Sequence, residues 1–176
     1  MMRKALLLLL AAALCGSLPA QHTDETARLL ALFNSHPKAD IAVELVKKYE
    51  GLHDRSDYPY YGYGHRRLPN EKLSYGMTEA EAEALLRKDL AVRYRLFRKY
   101  GKDALLLTVL SYNVGQGVLL AHGGHPKSGL VRKLEAGNRD IYREYTAYCR
   151  YKGKTVRSIE RRRKMEFLLL YERDEN

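Results

Sequence analysis

The stretch Glu50-Gly-Leu-His-Asp-Arg-Ser-Asp-Tyr-Pro-Tyr-Tyr-Gly-Tyr-Gly-His65 changes the texture of a chain otherwise patterned for helices. Just upstream, Ile41, Leu45, Val46 and Tyr49 recur at the three- and four-residue spacing of one helix face, and Gly51 supplies the stop. Glu50 is therefore expected to close an apolar-faced helix. Downstream, Tyr and Gly alternate and Leu68-Pro-Asn-Glu71 reads as a turn, so residues 57–75 are expected to form a small β-hairpin or meander. A carboxyl at such a junction is a place for chemistry. Desolvation disfavours its charged form, and a carboxyl that keeps its proton can donate to a leaving glycosidic oxygen. The neighbouring Tyr rings offer flat apolar faces with polar tips, suited to stacking on sugars. That chemistry needs a second carboxylate, as nucleophile or as base for water. Asp54 and Asp57 lie within the same stretch.

Working outward, helical patterning dominates. Ala27, Leu30 and Leu32–Phe33 mark a short amphipathic opener. Thr78 and Glu81 form a capping box for a helix that continues through Leu85, Leu86 and Leu90 and stops near Gly101. Residues 104–114 are apolar almost all round, the mark of a buried central helix, ended by Gly115 and Gly117. Further helices are expected at about 128–136, 140–151 and 158–172, with Gly137 and Gly153 as breakers. No internal repeat or linker interrupts the pattern, so a single domain is expected.

Length and composition bound the rest. The chain has 176 residues, 45% hydrophobic and 30% charged, which suits one globular domain and excludes disordered, collagenous and many-span membrane chains. Residues 1–20 join a basic Met-Met-Arg-Lys head to an uncharged run ending at Ala20, the pattern of a secretory signal peptide cut at Ala20/Gln21. The expected mature domain is then 21–176, exported to the periplasm or the extracellular space. Lipid anchoring on Cys15 is a rival fate, disfavoured by Leu14 before it. Cleavage removes Cys15 and leaves Cys149 alone, so no internal disulfide is available and the fold rests on its core. The formal net charge is +10. In an exported protein it points to anionic envelope polymers, not to nucleic acid, through an attraction that salt weakens.

Several blocks together carry a family resemblance. Glu50-Gly-Leu followed by Tyr61-Gly-Tyr-Gly-His65 resembles the phage-type (T4-like) lysozymes, glycoside hydrolase family 24. Residues 77–90, Tyr112-Asn-Val-Gly115, residues 128–137 and Arg161-Arg-Arg163 resemble further blocks of the same family. The likeness spans roughly 41–171. It implies an α+β, mostly helical, lysozyme-like fold. A small N-terminal β-hairpin would face a helical lobe built around a buried central helix. It also implies a muramidase, cleaving peptidoglycan glycan strands between N-acetylmuramic acid and N-acetylglucosamine, with no cofactor and as a monomer. Glu50 falls on the general acid. His65 and Asp89 fall on a structural ion pair. The arginines 161–163 fall near the cleft base, where one would hold the acid glutamate in position while its charge opposes the effect of desolvation.

Two departures from the family pattern matter. The interval from Glu50 to His65 is several residues shorter than is typical, so the second acid falls on Asp57 or Asp54; Asp57 is favoured because it sits at the mouth of the Tyr-Gly strand. The family's water-placing Thr falls on Tyr60, a bulkier group that reaches further. The cleft is expected to be lined by Tyr58, Tyr61, Tyr63 and Asn113. The altered interval also motivates a second reading, a lysozyme-fold protein that binds peptidoglycan without hydrolysing it. A generic basic surface-binding protein would leave the motif blocks unexplained. His122 and His125 have chelating spacing but no acidic or Cys neighbour, so they read as a polar surface loop with no metal. Cys149 reads as buried packing. Most of the Arg161–Lys164 run reads as a solvated face.

Overall fold

The computed structural model describes residues 18–174, with side chains from Asp24 onward. The expected signal peptide and Cys15 lie almost wholly outside the described residues. Eight helices and two small hairpins make up what is described: α1 (Leu18–Asn34), α2 (Ala39–Glu50), β1 (Tyr60–Tyr61), β2 (His65–Arg66), α3 (Glu79–Phe97), α4 (Ala104–Val114), α5 (Gln116–Leu119), α6 (Gly129–Glu135), α7 (Tyr142–Thr146), β3 (Arg150–Tyr151), β4 (Lys154–Thr155) and α8 (Arg157–Leu170).

The centre is α4. Every residue from Ala104 to Ser111 is buried, and the two hydroxyls of that stretch turn back onto the helix: Thr108 Oγ1 donates to the Ala104 carbonyl and Ser111 Oγ to that of Thr108, each at 2.8 Å. A helix apolar on every side has no solvated face, and α2, α3 and α8 pack around it. The opener α1 lies along α3, with Phe33 buried edge-on to Tyr94 at 6.1 Å between ring centroids. The capping box that starts α3 is formed as the sequence implies, Thr78 Oγ1 accepting from Glu81 N at 3.2 Å and Glu81 Oε2 from Thr78 N at 2.7 Å.

The expected hairpin is present but minimal. β1 and β2 are antiparallel, with Tyr61 opposite His65 and Tyr60 opposite Arg66. Residues 55–57 form a single 3-10 turn leading into it. Tyr112 of α4 ties the hairpin to the helical lobe, its hydroxyl donating to the Tyr63 carbonyl at 2.9 Å. Contact there is close: a Cβ on Gly64 would lie 3.4 Å from Tyr112 Cε1, and the residue's φ of +101° is one that only glycine adopts easily.

Two expectations are corrected. The helix expected over 140–151 stops at Thr146, and residues 150–155 form the β3–β4 hairpin instead. Lys152 and Gly153 both have positive φ, +48° and +78°, the requirement of a tight two-residue hairpin turn. Gly117 does not end α4. Gly115 does, and Gly117 lies inside the short α5.

Candidate active site

The site begins with the end of α2. Gly51 takes φ +71° and its N–H returns to the Lys47 carbonyl at 3.0 Å, which stops the helix and leaves Glu50 on its last turn. The Glu50 side chain is 20% exposed and meets two donors. Arg162 Nη1 of α8 donates to its Oε1 at 2.7 Å, and Asn113 Nδ2, from the end of α4, donates to the same oxygen at 3.4 Å.

Both donors belong to a ring of contacts that runs from the exposed Asn113 to the buried Arg162, Arg163 and Glu166. Arg162 Nε donates to Glu166 Oε1 at 2.7 Å. Glu166 Oε2 accepts from Arg163 Nη1, and from the Tyr145 hydroxyl at 2.9 Å. Arg163 Nη2 donates to Asn113 Oδ1, which leaves the Asn113 amide nitrogen facing Glu50. The circuit Glu50–Arg162–Glu166–Arg163–Asn113 thus closes on itself. It holds two cations and two carboxylates. Glu166 and Arg163 have no exposed surface, so each charge depends on its partners. Arg163 Nε also caps the Tyr148 carbonyl at 3.1 Å, and the Arg162 guanidinium lies over the Tyr49 ring at 5.3 Å.

The solvated face expected for most of the 161–164 run is therefore wrong for half of it. Arg161 and Lys164 are exposed; Arg162 and Arg163 are buried. Glu166 was not singled out in the sequence. Its signal was spacing, since it lies four residues after Arg162 and three after Arg163, where side chains on a helix meet.

His65 is bonded on both ring nitrogens, Nδ1 to Asp89 Oδ2 and Nε2 to Glu71 Oε2, each at 2.8 Å. Two carboxylate acceptors are both satisfied only by an imidazolium. The Asp89 bond raises the His65 pKa most; burial opposes it and Glu71 adds to the rise. Glu71 was not anticipated. It also accepts from Leu68 N at 2.7 Å, so it braces the loop after β2.

The second-acid candidates cap one another. Asp54 Oδ1 accepts from Ser56 N at 2.7 Å and from its Oγ at 2.6 Å, while Asp57 Oδ2 accepts from Asp54 N at 2.9 Å. Those Ser56 bonds hold the Asp54 pKa below its ordinary range. Asp57 is partly buried and Asp54 exposed. Among the tyrosines, Tyr58 is 65% and Tyr60 43% exposed, whereas Tyr61 and Tyr63 are only 6% exposed. Tyr61 stacks on Tyr75 at 4.2 Å, and the Lys47 ammonium lies over the Tyr63 ring at 5.7 Å. Tyr61 and Tyr63 thus support the hairpin from within and do not present faces to a ligand. His122 and His125 bridge through their backbones, and Cys149 is buried without a disulfide.

A small hairpin set against a helical lobe, with a glutamate at the junction gripped from the C-terminal helix, defines a lysozyme-like fold. Residues 47–166 match the family model of phage lysozyme. That stretch holds Glu50, the hairpin, Asn113 and both buried arginines. The chain belongs to the phage lysozyme family, whose members are muramidase-type peptidoglycan hydrolases. Comparison with the curated proteins gives no match.

Proposed function

We propose that the protein is an exported muramidase that cleaves the β-1,4 linkage between N-acetylmuramic acid and N-acetylglucosamine, with Glu50 as general acid. One observation carries the assignment: Arg162 and Asn113 both donate to Oε1 of Glu50. A carboxylic acid needs one oxygen for its proton and leaves the other as an acceptor. Glu50 can therefore carry a proton on Oε2 and keep both bonds, so the groups that hold it also fix which oxygen delivers the proton. Protonation of the leaving oxygen lets the C–O bond break as the sugar gains oxocarbenium character. Asp57 is the carboxylate that balances this charge, and the Tyr60 hydroxyl holds a water at the hairpin edge. The exposed rings of Tyr58 and Tyr60 are the sugar-stacking surfaces. Export rests on the basic-then-apolar N-terminus, and the +10 charge suits an anionic wall.

The test is release of new reducing ends from purified peptidoglycan, with Glu50→Gln beside the parent protein. Loss of product in a variant that still folds is expected. Retained activity would remove Glu50 from the mechanism.

The mutual capping of Asp54 and Asp57 favours one alternative, a wall-binding protein that does not hydrolyse. It predicts co-sedimentation with peptidoglycan, unaltered by Glu50→Gln, and no reducing ends.

A further inference from the structure

In the hydrolase reading the attacking water needs a base, and Asp54 and Asp57 are not the only titratable groups in the segment after Glu50. Both candidate carboxylates already accept backbone N–H groups in their own turn. One titratable group in the same segment is held differently. His53 follows Glu50-Gly51-Leu52, and both its backbone N and its ring Nδ1 point at the Gly62 carbonyl, at 2.8 and 3.0 Å. A carbonyl oxygen only accepts, so Nδ1 carries the hydrogen. In the neutral ring the lone pair then sits on Nε2. Among the described residues Nε2 has no hydrogen-bond partner.

The ring is part-buried and held through Nδ1. Its centroid lies 6.2 Å from that of Tyr60, and its Cε1 would lie 3.7 Å from a Cβ on Gly64. The same Cβ position would lie 3.4 Å from Tyr112 Cε1, so the His53 and Tyr112 rings face the same side of Gly64, and Tyr112 precedes the Asn113 that touches Glu50. The fold therefore joins the His53 turn to the Glu50 turn through one glycine and one tyrosine. It leaves an imidazole with a fixed tautomer, a bare acceptor nitrogen and an exposed phenol beside it.

We propose that His53 is the general base of the reaction, its Nε2 taking a proton from the water that attacks the anomeric carbon. This rests on Glu50 being the acid. The step balances. The water oxygen bonds to the anomeric carbon as the glycosidic C–O bond breaks. One water proton passes to Nε2, and the Glu50 Oε2 proton passes to the departing oxygen. The product hydroxyl keeps the other water proton. The imidazolium then returns its proton to solvent, and Glu50 takes one up. Titratable neighbours of the ring are Asp54 on the same turn, Tyr60 on β1 and Tyr112 on α4.

The test separates chemistry from packing. His53→Asn keeps an amide N–H where Nδ1–H meets the Gly62 carbonyl, but has nothing at the position of Nε2. On full-length protein with peptidoglycan as substrate, kcat is expected to fall by about 10²–10⁴-fold with KM little changed. The acid limb of the kcat/KM–pH profile should vanish, and azide, a nucleophile that needs no base, should restore turnover. An Asn variant that keeps kcat and the acid limb would reduce His53 to a brace for the hairpin. If that variant does not fold, the wild type decides: its acid limb must coincide with the NMR titration of the His53 Cε1–H signal, and a mismatch overturns the proposal. A wild type that releases no reducing ends, or an active Glu50→Gln, would instead overturn the hydrolase reading beneath it.

Discussion

Glu166 holds Arg162 one helical turn away, through a 2.7 Å bond from Nε to Oε1, with both side chains buried. Arg162 reaches Glu50 with a different nitrogen, Nη1, so Glu166 sets the direction in which the guanidinium fork points. The planar fork makes this possible, since its donors sit at fixed angles to one another.

Removing that anchor should be costly. Glu166→Ala leaves two buried guanidinium groups short of a carboxylate, and the expected loss is about 3–5 kcal/mol of unfolding free energy. Urea unfolding measures it. A loss below about 1 kcal/mol would mean that the arginines find other partners or water.

The His65 triad gives a pH dependence with a definite sign. Its pKa is raised above the ordinary 6.5 by Asp89 first, so the folded state binds the proton more tightly than the unfolded chain does. That stabilisation is complete below 6.5 and is lost as pH rises through the folded-state value. Asp89→Asn removes the largest cause. Urea unfolding from acid to alkaline pH should show the parent losing stability across this rise, and the variant losing much less. Parallel profiles would argue that the pair does not couple to folding.

At Gly64 a methyl group meets Tyr112 at ordinary contact distance, but the φ of +101° is one that a side chain strains against. Gly64→Ala should destabilise by about 1–3 kcal/mol through backbone strain at positive φ. Thermal melting reads the stability. Activity should drop further than stability does, because the same contact aligns the hairpin with α4.

Tyr58 offers the cleanest separation of binding from folding. Its ring is 65% exposed, so Tyr58→Ala should leave the melting temperature nearly unchanged. Weaker co-sedimentation with peptidoglycan, by about 0.5–1.5 kcal/mol, is expected if the ring stacks on sugar. Unchanged affinity would place the glycan elsewhere.

Much of this was legible in the sequence, for local reasons. Glu50 ends a periodic helix at a glycine, the Thr78 box announces α3, and residues 104–114 have no polar face. The unread parts are those that distant packing decides. Composition places Tyr61 and Tyr63 beside Tyr58 and Tyr60, but only the stacking on Tyr75 and the cover from Lys47 show which rings turn inward. Arg162 and Arg163 look like members of a basic surface run until Glu166 and Asn113 are set against them. The β3–β4 hairpin did have a local signature, Lys152-Gly153 between short β-forming pairs, and an apparent helical pattern concealed it.

The bond between Glu50 and Arg162 joins residues 112 positions apart, and its support at Glu166 lies near the end of the chain. Synthesis runs from the N-terminus, and contacts of such separation form only after the later partner exists. A growing chain can thus shape its first helices and its hairpin while its glutamate is still ungripped. The grip on Glu50 is therefore completed only once α8 has been made.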